Sequence, residues 1–216
     1  MHDYIRRFRI ANVRKTLFSH NRVQLRPRYQ LQRKGRKILF LNSFKSWRHA
    51  DLIVKAAPKV LSEFPDAHFL LVGARNPVEM GPIVALVKNM GLQVHFSVLP
   101  YVSNSGDWLE SATIYVLPAD IVFCNNSLLE AMERGTPPVV ARVPGAERIV
   151  EHGKSGLCEK QTPEAFASAI RTLLGNENLR RRLAEGARKK IERDFNESQR
   201  AEMLLSAYRS KVWQCL

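Results

Sequence analysis

The sequence is poor in cysteine, with only Cys124, Cys158 and Cys215 among its 216 residues. An odd number of cysteines without Cys-x-x-Cys spacing argues against a disulfide framework and gives no zinc-binding pattern. Histidine and acidic residues also lack the spacing of metal ligands, so the residues themselves give no sign of a metal site. Few and unpaired cysteines are typical of reducing compartments, and we therefore expect the chain to act in the cytoplasm.

Long apolar runs are also missing. No stretch approaches the roughly 18 consecutive apolar residues that a membrane-spanning helix requires. The first residues are basic and polar, without the apolar core of a secretory signal peptide. Hydrophobic residues nevertheless make up 45% of the sequence, which excludes a chain that is disordered throughout. The composition therefore predicts a globular protein with a hydrophobic core.

Acidic residues are scarce at the two ends of the chain. Residues 1–37 contain 12 basic residues and one acidic residue, and residues 171–216 contain 11 and six, whereas residues 38–170 contain 11 and 13. The formal net charge of +14 is therefore concentrated outside the middle of the chain. We predict a basic N-terminal segment or linker over residues 1–36 and one domain over residues 37–216. The basic ends favour peripheral contact with an anionic membrane. Nucleic acid is not expected to be the main partner, because the basic segment has few aromatic residues for stacking on bases.

Short apolar segments alternate with helical patterns from residue 37 onward. Strands are predicted at residues 38–41, 68–72, 94–96, 114–117, 138–140 and 156–158. Helices are predicted at about residues 51–64, 78–90, 107–111, 128–135 and 146–151, and through the last fifty residues. This alternation predicts an α/β fold, a Rossmann-like doubly wound parallel sheet of about six strands. Ligands of such sheets bind at the carboxyl ends of the strands, where the strand order reverses.

The segment after the strand at residues 114–117 carries the clearest functional signal. Asn125, Asn126 and Ser127 suit the N-terminus of the helix that follows, whose first residue is predicted near Leu128. A helix N-terminus at this edge of the sheet can bind a phosphate or diphosphate. Glu130 can accept hydrogen bonds from ribose hydroxyls in the same crevice. The alternative is a capping box, in which Ser127 and Glu130 only satisfy N–H groups of their own helix.

Several motifs in the same order resemble one family. They are residues 128–141 (Leu-Leu-Glu-Ala-Met-x-x-Gly-x-Pro-Pro-Val-Val-Ala), residues 143–156, the segment from Glu63 to Gly73, and the helical pattern of residues 163–174. The sequence resembles the C-terminal half of the retaining GT-B glycosyltransferases of family 4, also called glycosyl transferases group 1. The resemblance extends from about Lys37 to the C-terminus and implies one half of a GT-B fold.

The resemblance also implies a function. The domain would bind a nucleotide-sugar, UDP- or GDP-linked, and transfer the sugar to an acceptor with retention of configuration and without a metal ion. The acceptor would lie on a separate N-terminal GT-B domain, which residues 1–36 are too short to form and which a partner subunit could supply. Lipid-linked acceptors would place the protein at the inner face of the membrane. The alternative is a non-catalytic nucleotide-sugar-binding or scaffold protein of the same fold.

The resemblance assigns catalytic roles to two residues. Glu130 matches the family's glutamate on the ribose, and Arg48 matches a cation that neutralises the departing diphosphate. Lys45 lies close enough to assist. The sequence departs from the family at Val122, where a glutamate contacts the donor sugar, and at Ser43, where the family has arginine. Asp120 lies two residues before the glutamate position, and we interpret it as a loop residue.

The remaining donor-binding candidates are backbone positions and small polar residues. Asn125 and Asn126 lie where the family approaches the sugar hydroxyls, and a turn or capping role is the alternative. Gly73 would allow the nucleotide to approach the backbone, or it simply makes a turn. Gly145 lies in a loop that contacts the donor sugar in the family. Ser127 and Leu128 would offer backbone N–H groups at the helix N-terminus.

Overall fold

The computed structural model describes residues 35–122, 125–195, 201–202, 205–206 and 208. Most of the predicted basic segment, and residues 196–200 where a last helix is predicted to start, lie outside the described residues. Within them, six parallel strands form one sheet in the order β3-β2-β1-β4-β5-β6. The strands are β1 (Lys37–Leu41), β2 (His68–Ala74), β3 (Phe96–Pro100), β4 (Ile114–Leu117), β5 (Pro138–Ala141) and β6 (Leu157–Glu159).

Seven α-helices connect and follow these strands within residues 35–195. They are α1 (Ala50–Leu61), α2 (Pro77–Asn89), α3 (Ser105–Ser111), α4 (Asn126–Glu133), α5 (Ala146–Ile149), α6 (Pro163–Gly175) and α7 (Glu177–Asp194). Helix α1 packs against α2 and α6, whereas α4 packs against α3 and α7, so that helices cover both faces of the sheet. The predicted doubly wound α/β fold is confirmed.

The hydrophobic core follows from the central strands. Every residue of β1, β4 and β5 is buried, as expected for parallel strands that helices cover on both faces. These strands therefore read as continuous apolar runs in the sequence, which is why they could be predicted. No helix among the described residues is long and apolar enough to cross a membrane.

The reversal of strand order lies between β1 and β4. Strand β1 pairs with β2 on one side and with β4 on the other, where Leu39 lies opposite Tyr115. The connections that leave β1 and β4 therefore diverge and open a crevice at the carboxyl ends of these two strands. This crevice is the place where the sequence predicts a ligand.

The prediction was wrong in detail for the third strand. Residues 93–95 form a 3₁₀ turn, and the strand begins at Phe96 and continues to Pro100. Its pairing with β2 begins where Phe69 lies opposite Phe96, and the two rings stack with centroids 4.8 Å apart. The strand lies at the sheet edge and is only partly buried after Phe96, so its sequence lacks the apolar run that marks β1 and β4.

Gly73 lies inside β2 and does not end the strand as predicted. Its φ of +127° is in the region that side chains rarely adopt, and the pairing register shifts between Val72 and Ala74. A Cβ at Gly73 would lie 2.7 Å from the carbonyl carbon of Asn42 and closer still to its oxygen. The glycine thus allows the loop after β1 to pack directly on β2.

Candidate functional site

A cavity of about 600 Å³ lies at the carboxyl ends of β1 to β4. Five predicted site residues line it: Lys45, Gly73, Asn126, Ser127 and Glu130. It is also lined by residues that the sequence analysis did not single out for the site: Asn42, Trp47, Arg75, Tyr101, Val102, Ser103 and Ser105. The structure therefore brings together the loop after β1, the loop after β3 and the start of α4.

The N-terminus of α4 faces this cavity. Asn125 is the N-cap residue, and its side-chain oxygen accepts a hydrogen bond from the backbone N–H of Leu128 at 3.1 Å. The N–H groups of Leu128 and Leu129 are satisfied by Asn125. The N–H groups of Asn126 and Ser127 have no acceptor among the described residues. Two free donors at the positive end of a helix dipole can bind an anionic ligand.

The capping box, which was the alternative interpretation of Ser127 and Glu130, does not form. Because the cap is Asn125, Ser127 lies two residues past the capping position, and Leu128 takes the position where a capping glutamate would reach back. Glu130 lies a turn into the helix, and its Oε2 accepts a hydrogen bond from Ser105 at 2.7 Å. Its side chain therefore turns away from its own helix end toward the cavity.

Ser127 ties the start of α4 to the two central strands. Its hydroxyl lies 2.8 Å from the carbonyl oxygen of Leu41, 2.8 Å from the hydroxyl of Tyr115 and 2.7 Å from Asn125 Oδ1. Because Ser127 has one proton to donate, the Tyr115 hydroxyl donates to Ser127. Burial raises the pKa of Tyr115 and keeps it in this protonated form. The hydroxyl of Ser127 is thus fully used in hydrogen bonds within the chain. The group of this residue that a ligand can still bind is the backbone N–H, which has no acceptor among the described residues.

Four predicted residues do not line this cavity. The side chain of Leu128 is fully buried in the core, and Asn125 acts as the helix cap. Arg48 is half-buried, and its guanidinium lies 3.9 Å from the ring centroid of Trp47, which does line the cavity. Burial lowers the pKa of Arg48. Gly145 lines a separate cavity of about 350 Å³ with Arg142 and Arg148.

The two positions that depart from the family pattern have different surroundings. Val122 is fully buried in the hydrophobic core and does not line the cavity. Ser43 does line the cavity, and its backbone N–H donates to the side chain of Asn42 at 2.9 Å.

Asp120 forms a loop clamp with His49 and Gln161. Its Oδ1 lies 2.6 Å from His49 Nε2 and accepts from Gln161 Nε2 at 2.9 Å, while its N–H donates to the Trp47 carbonyl at 3.0 Å. The bonds from Gln161 and His49 lower the pKa of Asp120. His49 has a φ of +53°, the one positive φ of a non-glycine residue in the described part of the chain. The clamp therefore holds the loop that carries Lys45 and Trp47 against the loop after β4.

Replacing Asp120 with alanine is expected to loosen the loop after β1. We expect amide hydrogen exchange of Arg48 and His49, whose N–H groups bond to Lys45 and Ser46 in the 3₁₀ turn, to accelerate by about threefold or more. Hydrogen exchange read by mass spectrometry or NMR measures this. Asp107→Ala is the matched control, because Asp107 bonds to Asn104 in a different loop. Unchanged exchange at these two residues in Asp120→Ala would show that the clamp does not hold the loop.

One protein family matches most of the chain. The family model described as glycosyl transferases group 1 matches residues 21–190. The chain belongs to the glycosyl transferases group 1 family. The resemblance to glycosyl transferases group 1 that the sequence predicts is thereby confirmed. Among the described residues, no group of three or more histidine, cysteine or acidic side chains has the arrangement of a metal site.

The curated relatives that match are about twice as long as this chain. N-acetyl-alpha-D-glucosaminyl L-malate synthase of Bacillus anthracis is 28% identical over 203 residues, which are 94% of this chain and 51% of that protein. D-inositol 3-phosphate glycosyltransferase of Jonesia denitrificans is 26% identical, over 89% of this chain and 47% of that protein. The chain thus spans about half the length of the curated relatives it matches.

Solved structures show the same fold. HepE of Anabaena, in complex with UDP-glucose, matches with a TM-score of 0.72 and 19% identity, over 80% of this chain and 49% of that chain. The C-terminal domain of a glycosyl transferase group 1 family protein of Francisella tularensis matches with a TM-score of 0.67 and 17% identity, over 75% of this chain and 87% of that chain. The chain therefore has the fold of the C-terminal half of a GT-B enzyme.

Proposed function

We propose that the chain is the donor-binding domain of a retaining glycosyltransferase of family 4 and that it holds a UDP- or GDP-sugar in the cavity. One observation carries the proposal: the cavity at the strand reversal combines the carboxylate of Glu130 with the N–H groups of Asn126 and Ser127, which have no acceptor in the described part of the chain. Acceptors for hydroxyl groups and donors for a diphosphate thus lie in one crevice, as a nucleotide requires.

Charged and aromatic side chains of the cavity lining also suit the parts of a nucleotide-sugar. Lys45 and Arg75 line the cavity and offset the charge of a diphosphate, although Arg75 also pairs with Glu79 at 3.1 Å. Trp47 and Tyr101, which are 40% and 71% exposed, lie on the rim and offer flat surfaces to a base or a sugar. HepE, which has the same fold, has been crystallised with UDP-glucose, and this agrees with a nucleotide-sugar as the ligand.

The proposed reaction transfers the sugar from the diphosphate to an acceptor. The bond between the anomeric carbon and the diphosphate oxygen breaks, and the oxygen of an acceptor hydroxyl bonds to the same carbon with retention of configuration. The proton of that hydroxyl passes to the departing diphosphate. Negative charge grows on the departing diphosphate, and donors already in place at the N-terminus of α4 stabilise it together with Lys45. Arg48, whose guanidinium lies against Trp47, would add positive charge near the diphosphate. We propose that these groups act without a metal ion or other cofactor.

The acceptor and the membrane involve parts of the protein outside the described domain. Because the chain spans about half the length of its relatives, we propose that an N-terminal GT-B domain or a partner subunit binds the acceptor. The 12 basic residues among residues 1–37 support peripheral contact with an anionic membrane at its cytoplasmic face. A role in the biosynthesis of a glycan or another carbohydrate follows from this proposal.

Titration with nucleotides tests the proposed ligand. We expect UDP or GDP, and its sugar conjugate, to bind the chain below millimolar concentration and to raise its melting temperature, because a ligand that binds only the folded state stabilises it. Uridine and guanosine, which lack the diphosphate, are expected to bind at least about tenfold more weakly. Calorimetry and thermal shift measure both effects. No response to millimolar UDP, GDP or their sugars would contradict the proposal.

The second candidate function is a non-catalytic nucleotide-sugar-binding or scaffold protein. It is favoured by the buried side chain of Val122 and the uncharged side chain of Ser43, at positions where the family resemblance implies a glutamate and an arginine. Both candidates predict binding of the nucleotide. They differ in turnover, which the second candidate excludes even when an N-terminal domain with a bound acceptor is supplied.

A further inference from the structure

The floor of the cavity contains a pair of polar side chains from two different helices. Ser105, the first residue of α3, and Glu130, in α4, both line the cavity and are joined by the hydrogen bond of 2.7 Å from Oγ to Oε2. Helix α3 is anchored by the buried side chains of Trp108 and Leu109. The position of Ser105 is therefore fixed by the core and not by a free loop.

The protons of this pair can be counted. The carboxylate of Glu130 accepts hydrogen bonds and donates none, and the one hydroxyl proton of Ser105 is directed to Oε2. Neither Glu130 Oε1 nor a lone pair of Ser105 Oγ has a donor among the described residues. Glu130 is 8% exposed and forms no ion pair within that part of the chain. The pair thus offers two neighbouring acceptors and no donor.

This arrangement selects the kind of group that can bind. A phosphate offers acceptors and negative charge, so the Glu130 carboxylate would repel it. A ligand with two adjacent hydroxyl groups offers two donors and no charge, and matches both acceptors. The 2′ and 3′ hydroxyls of a ribose form such a pair.

We propose that Ser105 is a specificity-determining residue, which accepts a hydrogen bond from one hydroxyl of a ribose while Glu130 accepts one from the neighbouring hydroxyl. The inference rests on the proposed function, since it concerns the same cavity and the same ligand class. It assigns to the site a preference for ribonucleotides over nucleotides that lack either hydroxyl.

The experiment uses the 216-residue chain and whichever of UDP and GDP binds more tightly, with the 2′-deoxy and 3′-deoxy forms of that nucleotide. Calorimetry gives the dissociation constants for the chain, for Ser105→Ala and for Ser105→Thr. We expect the chain to bind the ribonucleotide about tenfold more tightly than either deoxy form. Ser105→Ala is expected to lose about tenfold for the ribonucleotide and for one deoxy form, but nothing for the form that lacks the hydroxyl bound by Ser105.

Ser111→Ala is the matched control, because Ser111 is the last residue of the same helix, does not line the cavity and donates its hydroxyl proton to the backbone carbonyl of Trp108. It should leave all three dissociation constants unchanged, and Ser105→Thr, which keeps the hydroxyl, should restore the ribose preference. Equal losses for all three ligands in Ser105→Ala would overturn the inference, since Ser105 would then only orient Glu130. An unchanged affinity for the ribonucleotide in that variant would also overturn it. Absence of any binding of UDP and GDP to the unaltered chain would overturn the proposed function together with the inference.

Discussion

Replacing Gly73 with alanine is expected to lower the free energy of unfolding by about 3 kcal/mol or more. Two costs combine. The φ of +127° is unfavourable for any residue with a side chain, and the added Cβ would overlap the backbone of Asn42. Backbone atoms cannot rotate away as a flexible side chain can, so the loop after β1 would have to move. Urea unfolding monitored by circular dichroism gives the free energy, and a thermal melt should show a decrease of about 6–12 °C.

Gly175→Ala is the matched control for this prediction. Gly175 is the last residue of α6, and a Cβ there would contact the ring of Phe64 at 3.5 Å, an ordinary van der Waals distance. Its stability should stay within about 0.5 kcal/mol of the unaltered chain. If Gly73→Ala were as stable as this control, the close packing of Asn42 on β2 would not exist in solution. If Gly73→Ala retains its fold, we also expect weaker nucleotide binding, because Asn42 lines the cavity.

Replacing Glu130 with alanine is expected to weaken nucleotide binding by about a hundredfold, since hydrogen bonds to a charged group contribute about 1.5–3 kcal/mol. Glu130→Gln keeps an acceptor but loses the charge, so it should fall between the unaltered chain and Glu130→Ala. Calorimetry with UDP and GDP measures the series.

The stability of these variants separates a binding role from a structural one. Glu130 is buried without an ion pair in the described part of the chain, and a buried unpaired carboxylate costs stability. We therefore expect Glu130→Gln to unfold at the same or a higher temperature than the unaltered chain while it binds more weakly. A parallel loss of stability and affinity would mean that Glu130 supports the fold, and full affinity in Glu130→Ala would remove it from the site.

The fold could be predicted because its physical causes are local. The apolar runs of β1 and β4 and the glycine that ends the pattern after α2, Gly91, are visible within a few residues. The third strand was misplaced because edge strands are only half-buried, and pairing with β2 decides where β3 begins. The start of α4 was placed too late because Ser127 and Asn125 are both good capping residues, and tertiary bonds to Leu41 and Tyr115 decide between them.

Most of the candidate site depends on contacts between distant segments. The family resemblance pointed to Glu130 and Lys45, which line the cavity, but Ser105 lies 25 residues from its partner Glu130 and belongs to no motif. Tyr101 follows an edge strand and reaches the cavity only because β3 lies beside β2. Gly145 follows β5, which lies beyond β4 in the sheet, and this places it in a separate cavity.

The position of Trp47 gives the site an optical reporter of its own. Its indole is 40% exposed at the cavity rim and lies against the guanidinium of Arg48, whereas Trp108 is 2% exposed in the core. Indole fluorescence depends on contact with solvent and with stacked groups, so a base or sugar that covers Trp47 would change its emission while that of Trp108 stays constant. Occupancy of the cavity can thus be followed without a label, and Trp47→Phe would isolate the contribution of this ring.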